Sequence, residues 1–247
     1  MSTTTQILIA YGERVAPAVL LVVATGWLLR REPLLRIVLY LLSFVLLRDA
    51  MTPLGLWAFG REGWFWIRLP ADTGFLILFG FACLAASLGL YFGDRANRAL
   101  VTWWRGSTPQ GVLLGIVGAA IVVLPLALIY RGTDVHFRGG NGPQMPVLAT
   151  LVFALLGNLL EELLFRGYVL GYLAQQMTRV RAGLASALIF ALGHTFLATT
   201  VTNAGYPLLL FTLWEGAIAG LVAARHGVIA STITHGGAIF LLASGWL

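Results

Sequence analysis

The sequence contains no lysine. Its 16 basic residues are all arginine, they stand against 10 acidic residues, and charge occupies only 11% of 247 positions. Soluble domains carry about a quarter charged residues, so this chain has too few to clothe a globular surface in water. A disordered chain is excluded too, because disorder needs low hydrophobicity and high charge, and 59% of these residues are hydrophobic. There is one cysteine, Cys83, set in an apolar run, so no disulfide can form within the chain. The first residues lack the basic stretch and small-residue cleavage site of a signal peptide, so the first apolar segment is expected to be retained. The net charge of +6 would suit nucleic acid, but the arginines are scattered between apolar runs. No nucleic-acid partner is expected. What remains is an all-α, polytopic membrane helix bundle whose surroundings are the lipid bilayer.

A span requires about 20 mostly apolar residues. Eight segments qualify: Ile9–Leu29, Leu34–Phe59, Phe75–Phe92, Gly111–Tyr130, Pro146–Leu173, Ala182–Leu197, Tyr206–Ala224 and Val228–Leu247. The second is expected to be broken by Arg48-Asp49 and Pro53, and the sixth could extend through the uncharged stretch after it. The connections after spans one, three, five and seven hold Arg30, Arg31, Arg36, Arg95, Arg98, Arg105, Arg179, Arg181 and Arg225, with only Glu32 and Asp94 among them. Arginine-rich connections stay cytoplasmic, which places both termini outside. The segment Gly60–Gly74, with Trp64, Trp66 and Pro70, reads as an interfacial aromatic stretch. The expected location is a bacterial cytoplasmic membrane.

An ionisable group at mid-bilayer costs at least ~2.5–3.5 kcal/mol and is a functional candidate by default. After loops and span ends are set aside, Glu161, Glu162, Arg166, His194, Glu215 and His235 remain, all in the last four spans. The chain therefore divides into residues 1–145, four spans without a motif, and residues 146–247, four spans that carry the chemistry. At about 100° per residue, Glu162 and Arg166 lie roughly 40° apart, the spacing at which side chains on one helix meet. Glu161 faces another sector, with Asn158 one turn below it. A carboxylate left without a cation is free to take up and give back a proton.

Blander readings stand beside this one. Glu162 and Arg166 can equally be a polar knot that holds helices together, and a lone intramembrane histidine is more often a packing residue than a ligand. Two histidines in spans near a free glutamate shift the balance, because imidazole and carboxylate together can activate water and a second imidazole can polarise a carbonyl. The same set matches catalytic zinc ligation, although no HExxH pair is present. Glu215 precedes Gly216-xxx-Gly220, a small-residue packing motif, and reads as a helix–helix bonding group in preference to a residue that supports the site from behind. His226 is expected at the membrane interface.

In order and spacing, these residues resemble the CAAX prenyl protease 2 / bacteriocin self-immunity (CPBP) family of intramembrane endopeptidases. Glu161-Glu162-Leu-Leu-Phe-Arg166 matches its EExxxR motif, and Phe190-Ala-Leu-Gly-His194 matches FxxxH. Gly216 to Gly220, Arg225-His226-Gly227 and His235 follow. The likeness covers about Pro146 to the C-terminus. It implies that Glu161 acts with His194 to activate water and that His235 stabilises the oxyanion, without a required metal or other cofactor. The implied partner is a membrane-associated or C-terminally processed protein substrate. In one respect the chain departs from the pattern: the family's last motif is HxxxN, and the fourth residue after His235 is Ile239. Loss of one oxyanion donor typically costs about 10²–10³ in rate, so Asn158 or Thr234 would have to substitute, or activity is altered. The expected function is intramembrane peptide hydrolysis near a substrate's membrane-embedded or C-terminal segment. The alternatives are a non-catalytic immunity or scaffold protein on the same fold, and a proton-relay transporter, which predicts a repeat symmetry that the sequence does not display.

Overall fold

The computed structural model describes residues 2–61 and 64–247. Its helices are α1 (Thr3–Leu28), α2 (Pro33–Met51), α3 (Thr73–Gly93), α4 (Thr108–Ile129), α5 (Val147–Glu162), α6 (Leu170–Leu173), α7 (Arg179–Leu192), α8 (Gly205–His226) and α9 (Val228–Ala243). A π-helical stretch, Leu163–Val169, joins α5 to α6, and a second, Leu197–Val201, follows α7. Joined in this way the helices form eight rods, one for each expected span. Six are long and apolar enough to cross a membrane, α5 continuing to Leu173 and α7 to Val201. The other two are α2, which carries Arg36, Arg48 and Asp49, and α9, which has 16 residues. Leu20, Leu28, Leu113, Leu124 and Leu148 are exposed around the outside. Such an apolar surface is tolerable only against lipid. The protein is an integral membrane helix bundle.

Two segments differ from expectation. Arg48-Asp49 does not break α2, which runs on to Met51. The two side chains form an ion pair of 2.8 Å, so neither charge stands alone in the helix. The helix stops where Pro53, which has no N–H and restricts its predecessor, tightens the chain into a short turn at Thr52–Leu54. The stretch Gly60–Gly74 is not merely an interfacial strip. With the residues before it, it forms an antiparallel hairpin of β1 (Ala58–Arg61) and β2 (Trp64–Arg68), whose tip at residues 62 and 63 lies outside the described residues. Trp66 is fully buried and donates from its indole to the Leu242 carbonyl, while Asn141 exchanges two hydrogen bonds with the Leu69 backbone. The hairpin thus closes one end of the bundle against the end of α9.

Helix α9 is the hub. A Cβ on Gly115 would lie 2.8 Å from the Ala230 carbonyl, and one on Gly236 would lie 2.6 Å from the Ala154 carbonyl. These glycines bring α4 and α5 against opposite sides of α9, the close approach that small residues permit in membranes. Gly183 and Gly220 do the same for α7 and α8. The expectation that Gly216-xxx-Gly220 is a packing motif agrees with these contacts. Between α8 and α9 the chain reverses at Gly227, whose φ of 90° suits glycine, and the Val228 N–H is taken by the Thr102 carbonyl.

Candidate functional site

Arg166 lies in the π-helical turn after Glu162, and the two ion-pair at 2.9 Å. The pairing expected from helix geometry is present, although the turn between them is not a regular α-turn. Single π-turns are frequent at functional sites, and here the loosened turn leaves the Phe165 carbonyl to accept the Ser186 hydroxyl of α7 at 2.6 Å. Arg166 also donates to the Gly216 carbonyl and lies over the Phe190 ring, 4.3 Å from its centroid. Glu162 has a second partner. Its Oε1 faces His235 Nδ1 at 2.9 Å, across from α5 to α9. Both Glu162 and Arg166 are buried, so the carboxylate is compensated on two sides.

The other nitrogen of His235, Nε2, faces Oε2 of Glu215 at 3.7 Å. The imidazole ring thus stands between two carboxylates, one at each nitrogen. Glu215 is 2% exposed, and its Oε1 has no hydrogen-bond partner.

His194 stands where α7 ends and the chain turns toward its second π-helical stretch. Its Nδ1 lies 2.8 Å from the Phe190 carbonyl, and its Nε2 lies 3.0 Å from Arg48 Nη1. A carbonyl can only accept and a guanidinium can only donate. The tautomer follows: Nδ1 carries the hydrogen and Nε2 is the acceptor. Arg48 is itself fixed, with Nε donating to Asp49 and Nη2 donating to the Gly193 carbonyl at 2.7 Å.

Glu161 is turned away from Arg166, and its Oε2 is a buried oxygen without a hydrogen-bond partner. It lines a cavity of about 1370 Å³, as do Asn158, His194, Glu215, His235 and Arg48. The cavity is bounded by α1, α2 and α3 on one side and by α5, α8 and α9 on the other. Its walls are mostly apolar, and it extends from Trp57 and Ile67 near the hairpin to Arg30, Arg31 and Arg95 at the opposite end. Glu162 and Arg166 lie behind the wall, where they hold His235. Asn158 spends an amide hydrogen on the Ala154 carbonyl of its own helix at 2.6 Å. Thr234 bonds the Gly115 and Ala230 carbonyls, toward α4, and does not line the cavity. Ile239 does line it, as an apolar surface.

Two further residues line the cavity. Glu215 faces His235 from α8 to α9, a position that suits both a helix–helix bonding group and a partner of the imidazole. Arg48 was set aside beside Asp49, and its partner is 146 residues away, a distance that no local pattern spans. His226 is buried at the end of α8. A divalent ion does not suit this set: His194 directs its accepting nitrogen at a guanidinium. Among the described residues, no three His, Cys, Asp or Glu side chains gather as ligands.

Residues 143–241, the part of the chain with both glutamates of the EExxxR motif and both cavity histidines, match the family model described as type II CAAX prenyl endopeptidase Rce1-like. No curated protein and no solved structure matches the chain.

Proposed function

We propose that this protein is an intramembrane endopeptidase in which Glu161 is the general base, assisted by His194, and His235 stabilises the oxyanion. The family of residues 143–241 is a protease family, which supports hydrolysis of a peptide bond. The observation that carries the assignment of roles is the common cavity of Glu161, His194 and His235, with the Glu161 Oε2 unpartnered beside it.

In this reading a water donates one hydrogen to Glu161 and the other to the accepting Nε2 of His194. As its oxygen attacks the scissile carbonyl carbon, one proton passes to the Glu161 carboxylate and the carbonyl oxygen becomes an oxyanion. His235, protonated on both nitrogens and held from behind by Glu162, donates from Nε2 to that oxyanion. When the C–N bond breaks, Glu161 returns the proton to the leaving nitrogen. Proton transfer by a positioned side chain contributes about 10²–10⁴-fold. Glu162 and Arg166 orient the imidazole and do not touch substrate. The long apolar cavity suits a membrane-embedded or lipidated C-terminal segment of a protein substrate.

Ile239 favours a second reading, a non-catalytic binding or scaffold protein on the same fold, because it places methyl groups on the wall where a donor would help. One experiment separates the two. The full chain is reconstituted in lipid vesicles with a membrane-anchored peptide substrate, and products are read by mass spectrometry. Glu161→Gln is expected to lower cleavage at least about 10²-fold, with His194→Ala similarly impaired and thermal stability retained. Undiminished cleavage in both variants overturns the mechanism.

A further inference from the structure

We propose that Arg48 supplies the principal oxyanion donor of this site, from a helix outside the segment that matches the family; the proposal rests on the hydrolytic reading above.

Peptide hydrolysis places a full negative charge on one oxygen, and the groups that stabilise it must be donors already in place. The candidate donors are few. The Thr212 hydroxyl is used by the Leu209 carbonyl, one amide hydrogen of Asn158 by the Ala154 carbonyl, and Ile239 has none. His235 commits one nitrogen to Glu162 and turns the other toward Glu215, so its donation competes with a second carboxylate.

Arg48 differs in kind. It is permanently cationic, with five N–H donors in a planar fork. Nε and Nη2 both reach Asp49 Oδ1 at 2.8 Å, and Nη2 also reaches the Gly193 carbonyl. These contacts fix the plane of the guanidinium. Nη1 remains, with one hydrogen on His194 Nε2 and a second that has no partner among the described residues. An arginine that served only to neutralise Asp49 would have no need to point this nitrogen at the imidazole that receives the water's hydrogen. Its side chain lines the same cavity as Glu161, His194 and His235.

The resting contact also explains how two tasks share one pair. Before substrate arrives, Nη1 occupies the His194 acceptor. When a carbonyl oxygen enters, Nη1 transfers its hydrogen bond to that oxygen and frees His194 Nε2 for the water. Binding the substrate thereby releases the imidazole that assists the base. No bond other than hydrogen bonds changes in this step, and the proton path through Glu161 is unaltered.

The test measures kcat and KM for Arg48→Met and Arg48→Lys beside Glu161→Gln in the vesicle assay. It also measures the affinity of a phosphinate peptide, whose tetrahedral P–O⁻ mimics the oxyanion. Loss of an oxyanion donor predicts that Arg48→Met lowers kcat about 10²–10³-fold with KM changed less than about threefold. Phosphinate affinity should fall in parallel with kcat, and Arg48→Lys should recover part of both. A purely structural role would not tie phosphinate affinity to kcat. A kcat for Arg48→Met within about threefold of the unmodified protein, or a kcat loss without loss of phosphinate affinity, overturns the proposal. If Arg48→Met does not fold, an Arg48→Lys variant that folds but binds phosphinate no better than substrate overturns it equally. Full activity in Glu161→Gln overturns the role of Glu161 as base, and no cleavage by the unmodified protein overturns the hydrolytic reading, so these failures are distinct from that of Arg48.

Discussion

Glu162 is held by a guanidinium from its own helix and an imidazole from α9. Removing one partner of a buried ion pair strands the other charge and costs about 3–5 kcal/mol, whereas replacing both is often nearly neutral. Glu162→Gln is therefore expected to lower the melting temperature sharply and to impair cleavage through a misaligned His235. The double variant Glu162→Gln/Arg166→Met should regain much of the stability but not the activity. Thermal unfolding in detergent and the vesicle assay read the two outcomes. A double variant as unstable as Glu162→Gln would contradict the account. At this scale the sequence was legible where chemistry is local. Glu162 and Arg166 sit one turn apart, and their pairing follows from helical periodicity. The bond from Glu162 to His235 and the one from Arg48 to His194 join residues far apart in the chain, and only packing creates them.

Among the elements, α9 sets the geometry, because its glycines let α4 and α5 approach on opposite sides while His235 between them reaches Glu162. A Cβ at Gly236 would meet the Ala154 carbonyl at 2.6 Å and the Leu155 Cα at 3.0 Å. Both are backbone atoms and cannot swing aside, so α5 and α9 must separate. Gly236→Ala is expected to cost about 1–3 kcal/mol, as overpacking does, and to lower kcat by stretching the Glu162–His235 contact. Unfolding curves and turnover measured together check this, and unchanged values in both would refute the packing role. The eight rods were readable from apolar runs because the length of a span is a bilayer constraint. The two π-helical stretches were not, since neither Leu163–Val169 nor Leu197–Val201 contains a proline, and Gly167 in the first is one of many glycines in the chain. The hairpin is hidden for a similar reason: its aromatic residues suit an interface equally well, and the bond to Leu242 shows that Trp66 is inside.

For the molecule as a whole, the cavity divides the bundle into a wall of α1, α2 and α3 and the helices that carry the glutamates and histidines. The two sides of α3 should therefore respond differently to bulk. Cys83 lines the cavity, whereas Leu78 is 41% exposed on the same helix. Cys83→Trp is expected to obstruct substrate, raising KM or abolishing cleavage while the protein still folds, and Leu78→Trp should leave activity near that of the unmodified protein. Equal effects of the two variants in the vesicle assay would mean that the cavity is not the substrate path. Composition identified the solvent as lipid, and the scarcity of charge then made the polar residues of the last four spans conspicuous. The wall contributed by the first three helices was invisible, because an apolar cavity lining and a lipid-facing surface are written in the same residues.

The Glu162–Arg166 pair also bears on how the protein is made. Its two charges belong to one helix and lie within one turn, so they can neutralise each other as soon as that segment is wound, before any later helix exists to help. Arg48 and Asp49 are likewise adjacent and travel into the bilayer together. The bonds from these pairs to His194 and His235 must wait for α7 and α9 to emerge. Biosynthesis thus delivers these two ion pairs as self-contained parcels and joins them last, and the site proposed above would be assembled only once α7 and α9 are in place.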